Sequence, residues 1–552
     1  MKKILFALTI IIAIAAGVFF YLKSTKLKDF EPQIKERLNK LVSEASNGLY
    51  RLEIGELHTD VIGSKITLTN AHLVPDTLKY VELEKQQLAP NDLFDVYIKH
   101  LSIDDIVAAD FIGSKSINLR RLFINEPVIR VWHKKQPYKV PDSVAAKTIY
   151  QQIRNDISSI KVDTIILENI DFIYTNKNKK SKETRLLNIK LYLADLLIDS
   201  STQNDQERFL FAKNCLINLK KYTTTTSDGL YRFTLGDLDI ETQQKAMRLK
   251  NIQFTPVGTV RNFYKQIGHQ QDRFELSLAQ VDFSNIEWWT LLAEESLVMN
   301  KAQMQNGKIK IFNDKSQPAD TRSKVGKYPH QLLMKVPFLI KVDTIGLNNF
   351  DLSYTELNPK SGQTGTINFE NINSTITNIT NDPGTIKQNK FLSVSAKASF
   401  MKRSAVTAGF KFDLAQADKG AFTVTAQMGA VPYQALNEIT VPLALLKINR
   451  LNLKSLDVSM RGDNYRASGT VKMIYDDLNI TALKAADDTL KKRGLLSFIA
   501  NNFVIKSKNP AEGQAVRIEK AAYERDTQRS FFNLVWKTIF TGSGKTVGYN
   551  KK

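Results

Sequence analysis

From Leu49 onward, apolar and polar residues trade places with a period of two. Phe350, Leu352 and Tyr354 alternate with Asn349, Asp351 and Ser353. Ile189, Leu191 and Leu193 alternate with Lys190 and Tyr192. Phe410, Phe412 and Leu414 alternate with Lys411 and Asp413, and Phe422, Val424 and Ala426 with Thr423 and Thr425. Successive side chains of a strand point to opposite faces, so each run predicts a strand with one apolar face, typical of antiparallel sheet. Turn sequences such as Ser227-Asp228-Gly229 and Asn381-Asp382-Pro383-Gly384 separate the runs.

Helical spacing is rarer. Phe30, Ile34, Leu38, Leu41, Val42 and Ala45 predict a capping helix over 29–46 that stops at Asn47-Gly48. Weaker helical spacing covers 143–159 and 327–335, and Trp288-Trp289-Thr290-Leu291-Leu292 marks another break in the strands. A short apolar helix is expected around Leu495, Leu496, Phe498 and Ile499. A longer one, over 526–541, carries Phe531, Phe532, Trp536 and Phe540. Two readings of that last helix stand: contact with a membrane surface through these four aromatics, or packing over the open end of the sheet. Ile4 to Leu22 is uncharged and almost wholly apolar; nineteen helical residues span about 28 Å, close to the thickness of a bilayer core. Ala13-Ile14-Ala15 resembles a signal-peptidase site, but the apolar run continues through Leu22, which favours an uncleaved anchor.

The strand pattern repeats. Ile160-Lys161-Val162-Asp163-Thr164-Ile165, Leu167, Asn169, Asp171, Tyr174 and Thr175 recur 180 positions later, from Ile340 to Thr355, with 11 of 16 residues identical. Upstream, Tyr50-Arg51, Asn70 and Pro75 meet Tyr231-Arg232, Asn251 and Pro256 at an offset of 181. The expected division is an anchor over 1–28, a capping helix over 29–48 and β units over 49–230 and 231–415. A further β region over 416–484 and C-terminal helices with a basic tail over 485–552 follow. A repeat of this length predicts an elongated or stacked architecture.

Composition narrows the function. The net charge is +21, which favours an anionic partner such as a membrane surface. The lysines are scattered and no aromatic-plus-basic module accompanies them, so nucleic acid is not expected. One cysteine, Cys215, gives no disulfide. No histidine lies three or four residues from another histidine or a cysteine, and no G-x-S-x-G elbow occurs. Gly542-Ser543-Gly544-Lys545-Thr546 lacks the leading glycine of a phosphate loop and reads as part of a flexible basic tail. No enzymatic activity, cofactor or metal is expected.

The anchor, the following helix, the run from Val96 to Val131, the segment Tyr475–Ile480, Asn509-Pro510 and the Phe531-Phe532 helix together resemble the AsmA-like family of bacterial envelope proteins. The resemblance implies an inner-membrane, single-pass protein held by residues 4–22, with its bulk in the periplasm. It also implies a curled antiparallel sheet forming an apolar groove, with phospholipid as partner and outer-membrane or other envelope proteins as candidate partners. In such a groove the lining residues are expected to include Ile189, Leu191, Leu193, Phe350, Leu352, Phe410, Phe412, Phe422 and Val424. Each buried methylene gains roughly 0.8 kcal/mol, so a 16-carbon tail gains about 12 kcal/mol before entropy losses. The alternative is a closed β core serving an envelope scaffold or regulator.

Overall fold

A computed structural model describes residues 35–36, 39–40, 42–44, 46–60, 65–106, 116–138, 158–178, 182–202, 205, 207–209, 211–294, 296–486, 489–492 and 505–548. The membrane anchor expected over 4–22, the segment 143–157 and the helix expected around Leu495–Ile499 lie outside the described residues. The protein is mainly β. It divides into two compact units: unit 1 holds residues 1–224, 235–249 and 288–294, and unit 2 holds 225–234, 250–287 and 295–552. The region 416–484 therefore belongs with the second repeat.

Unit 1 is built on β1 (Tyr50–Glu53), β2 (Glu56–Asp60), β3 (Lys65–Pro75), β4 (Asp92–Ile106), β5 (Ser116–His133), β6 (Ser159–Asn176), β7 (Lys182–Ile198) and β8 (Ala212–Thr225). A helix, α1 (Thr77–Lys85), follows β3, with Asp76 as its N-cap. Strands β1 and β2 both pair with β3, and the order then runs β3-β4-β5-β6-β7-β8.

The second repeat starts with the hairpin β9 (Tyr231–Glu241) and β10 (Ala246–Pro256), then α2 (Val260–Ile267) and β11 (Arg273–Ser284). After α3 (Trp288–Ala293) come β12 (Leu297–Asp314), α4 (Pro329–Leu333), β13 (Ile340–Asn358), β14 (Gln363–Thr380), α5 (Pro383–Gln388), β15 (Phe391–Phe400) and β16 (Ser404–Asp413). The chain closes with β17 (Phe422–Met428), β18 (Val431–Pro432), α6 (Tyr433–Ile439), β19 (Leu446–Gly462), β20 (Arg466–Ala486), β21 (Thr489–Lys492), β22 (Ile518–Glu524) and α7 (Phe531–Thr546). In unit 2 the order runs β11-β12-β13-β14-β15-β16-β17-β19-β20-β22.

The sheet is mixed, which corrects the expectation of a purely antiparallel one. Strand β5 pairs with β6 in parallel, and β12 pairs with β13 in parallel. Alternation of side chains is the same in either direction, so sequence period could not separate them. Parallel neighbours require a long crossover rather than a hairpin. The 25 residues between His133 and Ser159 and those between Asp314 and Ile340 provide it, once in each repeat.

The repeated asparagines have a backbone role. Asn70, Glu126, Asn169 and Asn188 have φ between +53° and +56°, inside β3, β5, β6 and β7. Asn251, Asn306, Asn349 and Asn371 repeat this in β10, β12, β13 and β14, with φ between +51° and +56°. Asparagine tolerates the left-handed region better than most side chains, and one such residue inserted into a strand makes a bulge. Each bulge slips the alternation by one. Buried residues of β6 therefore step from Leu167 to Ile170, and those of β3 from Leu68 to Ala71. Side chains lock the bulges together: Asn169 Nδ2 donates to Asn125 Oδ1 at 2.9 Å, and Asn349 Nδ2 to Asn306 Oδ1 at 2.7 Å. Asp171 and Asp351 each accept from the backbone N–H of the next bulge, Asn188 at 3.3 Å and Asn371 at 3.2 Å. The repeated Leu-x-Asn-x-Asp sequence is thus a bulge motif.

Candidate functional site

The bulges bring apolar residues into rows that run across the strands. In unit 1, Leu57, Leu68, Leu101, Ile124, Leu167 and Leu191 sit opposite one another on six successive strands. All six are buried. Strands lie about 4.8 Å apart, so such a row forms a continuous apolar line perpendicular to the chain direction. Ile189 and Leu193 belong to flanking rows and are buried too. The three groove positions expected in unit 1 therefore share one face, and that face is closed.

A neighbouring row of unit 1, Val96, Ile129 and Phe172, recurs in unit 2 one repeat later. Leu276, Ile309, Leu352, Phe369 and Phe400 face one another from β11 to β15. Leu276, Ile309, Leu352 and Phe369 are only half-buried. Phe350 lies in the adjacent row and is buried, with its ring over Gly307; a Cβ at Gly307 would lie 2.1 Å from that ring. The glycine makes room for the phenyl group.

A polar rim borders this row. Tyr354 is two residues beyond Leu352, and its hydroxyl donates to Glu356 at 3.1 Å. Lys315 lies 3.6 Å from Glu356, and burial pushes its ammonium below the usual lysine range. Asn313 Nδ2 donates to Asp272 Oδ1 at 2.5 Å, and Arg529 donates to Gln270 Oε1 at 3.0 Å. Unit 1 has a related rim, with His133 Nδ1 2.7 Å from Asp92 Oδ1 and its ring stacked on Tyr174. Asp92, His133 and Tyr174 precede Asp272, Asn313 and Tyr354 by 180 positions.

The far end of unit 2 is sealed. Phe412, Phe422 and Val424, expected to line the groove, are buried under α7 together with Leu534 and Val535. Phe410 packs on the same cluster, its ring 6.3 Å from Phe531. Phe531 sits at the centre of this cluster, 4.9 Å from Phe422, 5.1 Å from Tyr328 and 5.4 Å from Phe412. This corrects two expectations. Phe531 is a core residue and not a membrane contact, and Phe412, Phe422 and Val424 are covered by protein. Of the four aromatics assigned to membrane contact, Phe532, Trp536 and Phe540 do face outward.

A third correction concerns Gly542–Thr546, which forms the last turns of α7 instead of a flexible tail. Thr538, Gly542 and Thr546 recur every four residues on the buried face. A Cβ at Gly542 would meet Val471 Cγ2 at 2.4 Å and Ala521 Cβ at 3.1 Å, so glycine lets the helix sit directly on β20 and β22. That small-residue spacing was visible in the sequence and is the feature that could have revealed the docked helix. Leu276, Ile309 and Phe369 were not among the expected lining residues, because the row they join follows from pairing register, which one strand's own sequence does not contain.

Within the second repeat His330 is fully buried on α4, stacked on Phe412 at 5.0 Å. Neither of its ring nitrogens has a hydrogen-bond partner among the described residues. Burial lowers its pKa to about 4. Among the described residues no group of three or more His, Cys, Asp or Glu side chains is placed to hold a metal, and no helix is long and apolar enough to cross a membrane. No protein-family model matches the chain, and no curated protein matches it.

Proposed function

We propose that this protein binds phospholipid on the apolar face of unit 2 and serves lipid traffic in a bacterial envelope, held to the inner membrane by residues 4–22 with its bulk in the periplasm. One observation carries the reading: a row of apolar side chains, Leu276, Ile309, Leu352 and Phe369, crosses four strands and is only partly buried. Water-exposed apolar surface of this continuity is costly, and an acyl chain removes it from water. The polar rim of Tyr354, Glu356 and Lys315 lies beside the row, the order of polar and apolar groups that an amphiphile presents. The resemblance to AsmA-like envelope proteins points the same way and supplies the compartment. Binding of this kind is non-enzymatic and needs no cofactor.

Photo-crosslinking tests it. A benzoylphenylalanine placed at Leu352 in the full chain in cells should form a lipid adduct detectable by mass spectrometry. The same group at Ser353, on the opposite face, should not. No adduct at 352, or equal adducts at both positions, sinks the reading. A second reading, a closed scaffold, draws on the buried rows of unit 1, and it predicts no adduct at either site.

A further inference from the structure

We infer that the α4–α7 side of unit 2 docks on an anionic bilayer surface. The inference is independent of lipid binding on the Leu352 row and rests on different residues. Helix α7 is fixed to the sheet by Phe531, Leu534 and Gly542, so its outer face has one defined orientation. That face carries Phe532, Trp536 and Phe540, which are 64%, 43% and 41% exposed. They recur every four residues and form one stripe along the helix. A stripe of large exposed aromatics is unusual on a helix whose opposite face already fills a core.

A second segment, distant in sequence, adds to it. Leu332, Met334 and Phe338 are exposed at 50%, 37% and 44% in and just after α4. Leu333, between them, packs into the same buried cluster as Phe531. The two segments are tied by one backbone and one side-chain hydrogen bond: Lys324 N–H donates to Thr527 O at 2.7 Å, and the Arg525 guanidinium donates to Lys324 O at 2.9 Å.

Charge selects the occupant. Residues 320–343 hold five cations, Arg322, Lys324, Lys327, Lys335 and Lys341, against two acids, Asp320 and Asp343, with Arg322 paired to Asp320 at 2.8 Å. Residues 526–548 hold Arg529, Lys537 and Lys545 against one acid, Asp526, which pairs with Arg529 at 3.4 Å. Exposed Phe and Trp among a net excess of cations match the interface of a membrane rich in anionic headgroups: rings settle at the headgroup boundary while lysines and arginines meet the anionic headgroups.

The test uses the full chain in amphipol and flotation with lipid vesicles. Wild type should float with vesicles of phosphatidylcholine mixed with phosphatidylglycerol and far less with phosphatidylcholine alone. The triple variant F532S/W536S/F540S should lose binding by about 10-fold or more while keeping its melting temperature, because these side chains are exposed. Brominated lipid should quench fluorescence of wild type and spare W536F, separating Trp536 from the other tryptophans. Unchanged flotation of the triple variant, equal binding to both vesicle types, or no quenching at Trp536 overturns the inference. A concentration-dependent dimer abolished by the triple variant also overturns it and assigns the surface to a second copy. None of these readouts depends on an adduct at Leu352, so the two proposals fail separately.

Discussion

Val96, Ile129 and Phe172 in unit 1 and Leu276, Ile309 and Leu352 in unit 2 occupy the same row of the same repeat, 180 positions apart. The first three are 2%, 1% and 8% exposed. The second three are half-buried. The strand frame is shared, down to left-handed asparagines at matching bulges, yet the first row is fully buried and the second only partly so. Neighbouring rows show how the sequence allowed the change: Leu191 is buried opposite Leu167, whereas Ser374 stands opposite Leu347. The backbone devices recur in both repeats, while the burial of the row differs. What α7 covers in unit 2 is the end beyond this row, so unit 2 contains a sealed region and an accessible one within a single sheet.

The largest effect is expected in the sealed region. Phe531→Ala should destabilise unit 2 by about 3–5 kcal/mol in urea unfolding, against about 0.5 kcal/mol or less for Phe532→Ala. Equal losses would erase the distinction between the inner and outer faces of α7. The row comparison itself comes next. Ile129→Ala should cost about 2–5 kcal/mol, and Ile309→Ala clearly less, because less of its surface leaves water on folding. Similar costs would mean that the two rows are equally packed.

Acid should strike the sealed region selectively. His330 is held neutral to about pH 4, against an ordinary value of 6.5. Below 6.5 the unfolded chain takes up a proton that the folded chain refuses, so stability is full above that value and falls as pH drops toward 4. The loss reaches about 3 kcal/mol at most. His330→Phe should flatten the dependence of melting temperature on pH between 6.5 and 4; an unchanged slope would show that other groups set it.

The smallest effect tests what the units share. Asn169→Ala and Asn349→Ala should each cost about 1–2 kcal/mol, since alanine strains at positive φ and the side-chain bonds to Asn125 and Asn306 are lost. Replacement by glycine should recover the part due to strain. Unequal costs in the two repeats would show that the bulge frame has diverged as well.

Strands, turns and the duplication were legible in the sequence because they depend on local chemistry. Alternation reports a one-faced strand, and the recurrence of Asn169 and Asp171 as Asn349 and Asp351 marked a shared device before its geometry was known. The candidate site was legible only in part. Leu352 was found on an accessible row, but Phe412, Phe422 and Val424 were assigned to an open face that α7 covers. Phe531 was grouped with three aromatics that point the other way.

What the sequence determined by itself is therefore the set of strands, their apolar faces and the repeat. What only the tertiary structure decided is direction of pairing, register, and which apolar face meets protein. Each strand carries its periodicity within itself, whereas pairing partners and covering helices are set by residues far along the chain: Tyr328 and Phe531 meet Phe422 across about a hundred positions on either side. A phenylalanine beneath a helix and one facing outward have the same local sequence chemistry, and only long-range packing separates them.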